Sequence, residues 1–445
     1  MVVVAASASM PTRATTPSSP ELAASPASTA SAAAAASAPE AEWRALNRRA
    51  SQQAKAGDFA GLRETLVLLA PAMPGSPRIA YKRAAAEARL GHGDEAIAGL
   101  TRLADAGLAE DPAADADFAS LAERADFRRL RDRMADNRRP VGASTTWRAL
   151  AQPDMLPEAL AWDAQGKRLF VSSVRHCEVR VIDDPRARPA DAKSERRFAR
   201  LPASAFALGI DAARKRLWVT IATVAQAQGC GEGPVSAEAT ALLALDLDSG
   251  KLLQRVDADL PGVLGDLLVA EDGTVFVSES QHGAVLRLRP GAARLERLDV
   301  PGEFVSPQAP ALSADHRALV VPDYARGMAV LALDACPCRP RWPANGPGVF
   351  TAGIDGLVRD GDTWVAVQNG TTPARLVRFS GDLSRQRVLE SGTPGFGEPT
   401  HAIVVEGALW YIADVGWDRL DESGATKPGA PASHPELRVL PLPGR

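Results

Sequence analysis

Apolar positions along the chain change period near residue 140. From 41 to 139 they recur every three or four residues: Trp43, Leu46 and Ala50 share one face, and Phe59, Leu62, Leu66 and Leu69 share the next. A period of about 3.6 residues places such positions on one side of a helix, so this stretch is predicted to be all-helical. The phrase Gly57-Asp58-Phe59 returns 36 residues later as Gly93-Asp94-Glu95-Ala96. Gly can end a helix because a positive φ costs it little, and Asp can cap the next by accepting from free N–H groups. A closing helix is expected over Asp117 to Met134, with Phe118, Leu121, Phe127 and Leu130 on its buried face.

Beyond Pro140 short alternating strands take over, punctuated by Gly, Pro and Asp-Gly pairs. An apolar strand, a polar turn and a second strand recur six times, with Phe170, Trp218, Phe276, Val320, Trp364 and Trp410 at equivalent second-strand positions. Their spacings are 48, 58, 44, 44 and 46 residues, the length of a four-stranded propeller blade. Residues 145–445 are therefore expected to form an all-β six-bladed propeller. Blade four has only a weak outer strand near Arg341-Trp342, and the chain runs out before blade six is complete. We expect Thr146 to Leu150 to supply the missing strand beside Leu437 to Leu440, which removes two exposed sheet edges.

The Gly-Asp period lies close to the helix-turn-helix period of about 34 residues in tetratricopeptide repeats, so 41–139 resembles a tetratricopeptide-like domain with a concave surface for a peptide partner. Residues 1–40 are mostly Ala, Ser, Thr and Pro, too little bulk to offset ordering, and read as a disordered leader or linker. Ala36-Ser37-Ala38 has the small residues of a signal cleavage site, but the basic and Leu-rich segments of a signal are missing. Periplasmic or extracellular localisation and a cytoplasmic alternative both stay open.

Basic residues number 51 and acidic residues 54, a net charge of −3, and no apolar run is long enough to cross a bilayer. Nucleic acid and a membrane span are thus excluded from the expected partners. In a four-stranded antiparallel blade, the residues before strand one and the strand-two to strand-three loops surround one mouth of the channel. The first group is Glu158, Phe206, Asp266, Gln308, Asp355 and His401. The second includes His176, His282, Tyr324, Arg326, Gln368 and Asn369, with His434 in the last loop. Asp266, Gln308, Gln368, Asn369, Tyr324 and Arg326 are candidate ligand-binding residues for a small molecule or protein. His401, His282 and His176 are candidate catalytic bases, since imidazole titrates near neutrality.

Pro157-Glu158, Ser313-Ala314-Asp315, Ile354-Asp355-Gly356-Leu357 and Pro399-Thr400 resemble blade openings of the gluconolactonase/senescence-marker-protein family and its relatives with NHL-type repeats, over roughly residues 145 to 445. The resemblance implies one divalent cation, calcium, manganese or zinc, held by Glu158, Asp355 and, in place of the family's Asn, Gln308. It also implies an Asn for substrate where Gly265 stands. Two such departures put a competent lactonase in doubt. The expected function is a binding propeller with a helical adaptor domain, the alternative being a metal-dependent lactonase or related hydrolase.

The four cysteines offer no four-ligand zinc set, because Cys336-Pro337-Cys338 has one intervening residue and no second pair. Cys177 and Cys230 fall in neighbouring rim loops, where a disulfide would tether the second loop in an oxidising compartment.

Overall fold

The computed structural model describes residues 42–183, 194–231, 240–431 and 435–442. The expectation for 1–40 and the rim position of His434 lie outside them. Five helices come first: α1 (Glu42–Ala56), α2 (Phe59–Leu69), α3 (Pro77–Arg89), α4 (Gly93–Asp105) and α5 (Ala125–Asp136). Asp58 caps α2 by accepting from Gly61 N at 2.9 Å, after Gly57 has turned the chain at φ 70°. The second turn is built differently. His92 is the cap residue of α4 but its side chain makes no capping bond, turning instead to Glu87 at 2.7 Å, while Asp94 pairs with Arg124 at 2.6 Å.

The single closing helix expected over Asp117 to Met134 is two pieces, a 3-10 turn at Ala116–Leu121 and α5. Arg124 is extended (ψ 132°) between them, because its guanidinium folds back onto Asp126 and Asp94. The expected face survives the break: Phe118, Leu121, Phe127 and Leu130 are all buried.

Six sheets follow as a six-bladed β-propeller, five with four strands and one with three. The blades span 160–200, 204–257, 264–297, 311–332, 356–391 and 402–441. Apolar clusters fill each junction between neighbours; Ala161, Phe170 and Val181 of blade one, for example, pack on Leu208, Val219 and Leu243 of blade two. In blade four the outer strand is reduced to a bridge between Val330 and Arg341. Pro337, Pro340 and Pro343 flank that position, and each removes a donor that a ladder needs.

Blade six is closed by the strand Thr145–Ala149, which runs antiparallel to Glu436–Pro441 in the order Thr145 opposite Val439, Thr146 opposite Arg438 and Ala149 opposite Glu436. Trp147 lies on Trp410 with ring centres 5.1 Å apart. Polar groups clamp this strand from both sides. Ser144 Oγ donates to Glu390 of blade five at 2.6 Å and receives Arg438 Nε at 2.9 Å. On the other side Arg148 donates through Nη1 to Ser194 Oγ at 3.1 Å, and its Nη2 lies 3.8 Å from Glu195, whose side chain is fully buried.

The helices dock on blades four and five at the mouth defined by the blade openings. Arg44 donates to Gly302 O and Phe304 O, Thr351 N and Ala352 N donate to Gly75 O, and Arg375 donates to Ala106 O. Gly75 admits no side chain there, since a Cβ would stand 2.0 Å from Thr351 Oγ1.

Arg148→Ala should lower the stability of the folded chain by about 2–4 kcal/mol, because Glu195 then keeps its burial with one guanidinium fewer. Denaturant unfolding of both proteins measures this, and a difference under about 0.5 kcal/mol would show that the clamp does not hold the closing strand.

Candidate functional site

Each blade enters at the channel mouth, so residues at or just before the opening of its first strand face the axis. Glu158, Phe206, Asp266, Gln308 and Asp355 line one cavity, joined by Val263, Gly265, Ser280, Gln281 and Thr400. The carboxylates come from blades one, three and five, alternating with Phe206 and Gln308 from blades two and four. About 30 Å³ of the cavity is open to the centres of water-sized molecules; about 10–15 Å³ so measured holds one water, so an ion and a water or two fit.

One oxygen of each outer carboxylate is tied down. Trp417 Nε1 donates to Glu158 Oε1, reaching across from the loop after the second strand of blade six. Asn369 Nδ2 donates to Asp355 Oδ2 at 2.7 Å and to Pro399 O at 2.9 Å, while its own Oδ1 accepts from Tyr324 OH at 3.0 Å. Tyr324 and Asn369 thus position Asp355. Gln308 donates through Nε2 to Ser306 O and Oγ at 3.2 and 2.9 Å, which leaves its amide oxygen as the polar atom for the cavity.

The charges repel. Burial, then the Glu158 carboxylate, pushes Asp266 up to about 7. Burial, followed by Glu158 and Asp266, holds Asp355 well above the usual carboxylate range. Glu398, beneath the Trp417 loop, is also raised, by burial first and Glu158 second. A set of carboxylates that resists joint ionisation favours either protons or a cation.

No histidine among the described residues lines this cavity. His401 stands one residue beyond Thr400 and accepts through Nδ1 from Leu160 N at 3.3 Å, so its neutral ring carries the proton on Nε2. Burial lowers its pKa to about 4. His176 meets Asp154 at 3.2 Å on the outer rim, and His282 stands near Glu279 at 3.5 Å with 60% of its side chain exposed. The three imidazoles expected as bases therefore do not converge with the carboxylates.

Two expected ligand-binding residues serve the helical dock instead. Arg326 lies between the rings of Trp43 and Trp342, at 4.7 and 3.7 Å, and donates to Ala72 O and Glu303 O. Gln368 donates to Phe350 O and Ala352 O and accepts from Arg375 Nε at 2.7 Å. Strand phase located both residues at the mouth, but it carries no information about what covers a given blade.

Cys177 and Cys230 form a disulfide with Cα atoms 5.0 Å apart, whereas Cys336 and Cys338 are free. Arg175 Nη1 donates to Gly424 O at 3.0 Å and Gln228 N donates to Arg175 O at 2.6 Å, so the loops of blades one, two and six knit into one cover beside the cavity. Trp417 was not legible as a partner of Glu158, since nothing in a long loop tells which residue folds back. No helix among the described residues is long and apolar enough to cross a membrane.

No protein-family model matches this chain, and no curated protein matches it. Solved structures similar to it include a gluconolactonase from Xanthomonas campestris, 16% identical over 68% of this chain and 99% of that one, with a TM-score of 0.43. A calcium-binding regucalcin from Agrobacterium tumefaciens is 16% identical over 68% of this chain and 94% of its own, with a TM-score of 0.49. An aldose sugar dehydrogenase from Streptomyces coelicolor, in a PQQ-bound form, is 15% identical over 67% and 98% of the two chains, with a TM-score of 0.43.

The raised Asp266 makes the protein without added cation lose stability as pH rises. Its folded form keeps a proton up to about 7, while the unfolded carboxyl releases it near 3.8, so the contribution is complete below 3.8 and gone above 7. His401 acts in the opposite direction: its contribution is present above 6.5 and lost as pH falls toward 4. Asp266→Asn should therefore remove a decline in stability between about pH 4 and 7, and raise stability at the upper end by a few kcal/mol at most. Parallel curves for the two proteins would show that Asp266 is ionised throughout.

Proposed function

We propose that the protein is a ligand-binding propeller whose channel-mouth cavity takes one hard divalent cation together with an oxygen-rich small molecule. The observation that carries this reading is the convergence of Glu158, Asp266 and Asp355 on one small space, two of them held by a neutral N–H donor. Among the described residues no three acidic, His or Cys side chains are already gathered tightly enough to hold a metal ion.

The donor set suits the proposal. Every candidate ligand is an oxygen: the three carboxylates and the amide oxygen of Gln308. Oxygen donors without imidazole or thiolate favour calcium or manganese over zinc. Glu158 and Asp355 would hold the ion, with Gln308 and Asp266 as further donors. When bound, such a cation supplies charge that polarises a carbonyl or binds vicinal hydroxyls.

Hydrolysis of a lactone or related ester is the second reading, and Asp266 favours it. A carboxyl held to about 7 in the cavity wall is a better base than an ordinary aspartate and has no other hydrogen-bond partner among those seen in the site. Gly265 leaves room beside it, because a Cβ there would meet only Ser280, at 3.4 Å.

Calorimetric titration of calcium or manganese into the full chain should show one site per chain. Glu158→Gln and Asp355→Asn should each weaken it at least about tenfold while leaving the unfolding midpoint in place, since one charge-assisted contact is worth roughly that factor. Absence of binding by both cations to the wild-type chain would sink the proposal. Lactone turnover that disappears in Asp266→Asn while cation binding persists would select the hydrolase reading.

A further inference from the structure

The opposite mouth of the propeller carries a cleft of a different character, between blades two and three. It is lined by Asp211, Arg214, Arg216, Trp218, Gln254 and Arg289, with the turns around Gly273 and Gly291 closing its ends. About 90 Å³ is open to the centres of water-sized molecules, three times the space at the carboxylate cavity.

Register explains why these side chains meet. Arg216 and Trp218 are two residues apart on the second strand of blade two, so both point to the same face, toward blade three. Trp218 pairs across the ladder with Ala244, and Ala244 with Gln254, which places Gln254 on that face as well. Gln254 Nε2 then holds the far wall by donating to Ala292 O at 3.2 Å.

The cleft has donors and positive charge left over. Trp218 is 3% exposed, and its indole N–H has no partner. The Arg216 guanidinium stands 6.0 Å from the Trp218 ring and makes no hydrogen bond or ion pair among the described residues. Arg214 is accounted for: it pairs with Asp211 at 3.2 Å and donates to Asp272 O at 2.6 Å. Gly273 makes room for it, since a Cβ there would meet the Arg214 guanidinium at 2.2 Å. Arg289 shares one carboxylate, Glu296, with Arg287, at 3.2 and 2.8 Å. Among the charged residues of the lining, Arg214, Arg216 and Arg289 outnumber Asp211, so the unpaired Arg216 leaves an excess of positive charge around a buried unmet N–H.

We infer that this cleft binds a small oxyanion, the phosphate or carboxylate group of a metabolite, with Trp218 Nε1 and the Arg216 guanidinium as its principal donors and Arg289 at the entrance. A cleft whose lining combines an unmet N–H with one unpaired guanidinium suits an oxygen that carries charge, and arginine's planar fork fits both phosphate and carboxylate. The one carboxylate of the lining, Asp211, is already paired with Arg214, so a cation would find no unmatched anion among the lining residues. The site is independent of the carboxylate cavity, which opens on the other mouth.

Inorganic phosphate and malonate are the probes, titrated calorimetrically into the full chain with sodium chloride holding ionic strength constant. At least one should bind with one site per chain, and the tighter of the two identifies the phosphate or carboxylate class. Arg216→Gln should weaken that probe by tenfold or more, and Trp218→Phe, which keeps the ring and deletes the N–H, by about tenfold, the loss expected for one charge-assisted hydrogen bond. Arg359→Gln, on blade five, should bind as wild type does. Arg216 is only partly buried, so its variant reports on the site even if Trp218→Phe unfolds. Binding of neither probe, or unchanged affinity in Arg216→Gln, would overturn the inference.

Discussion

The ring depends on one pairing, the strand Thr145–Ala149 against Glu436–Pro441. An open propeller would present two unpaired edges, one at each end of the chain, and a gap at the junction of blades six and one. Closing it brings segments almost 300 residues apart in sequence into one sheet, so the loop-closure entropy is large and the contacts must be dense. The clamp supplies them: Ser144, Arg438 and Glu390 on the blade-five side, Arg148, Ser194 and Glu195 on the blade-one side. Because the closing strand directly follows the helices, with Val141 bridged to Ser391 on the way, the same pairing fixes where the helical unit leaves the propeller.

That exit has consequences for the mouth. The helices settle on blades four and five, and the loops of blades one, two and six cover the other side, joined by the disulfide between Cys177 and Cys230. The rim is thereby divided between a helical wall and a loop cover, with the acidic cavity between them. Residues that face solvent at the mouth of an uncovered ring, such as Arg326 and Gln368, here become internal mortar. Arg326 is able to remain charged while buried because two indole rings and two carbonyl oxygens receive its guanidinium.

What the sequence shows depends on which quantity is periodic. Strand period and blade length recur six times, so the ring, its closure by Thr145–Ala149 and the line-up of Glu158, Asp266, Gln308 and Asp355 could be read before any coordinate was known. The phase of a strand tells which residue begins a blade, and the fold does the rest. Pair partners are not periodic. Trp417 on Glu158 and Arg326 between Trp43 and Trp342 are contacts between segments with no common register, and the bend of the backbone at Arg124 follows from one ion-pair cluster. His401 illustrates the boundary: its position was legible, but its ring nitrogen is taken by a backbone N–H one blade away.

A sixfold ring also constrains how charge can be arranged around its axis. Openings of alternate blades stand roughly 120° apart, the widest equal separation available to three side chains in such a ring. Glu158, Asp266 and Asp355 use that pattern, with Phe206 and Gln308 between them as neutral spacers. Three carboxylates on adjacent blades would repel more strongly and leave no common centre; three on alternate blades share one. At the opposite mouth the unmatched charge, the guanidinium of Arg216, lies beside a single junction, between blades two and three. Topology thus separates an axial acidic centre from a lateral basic cleft, and the packed sheet between them keeps the two charges from neutralising each other.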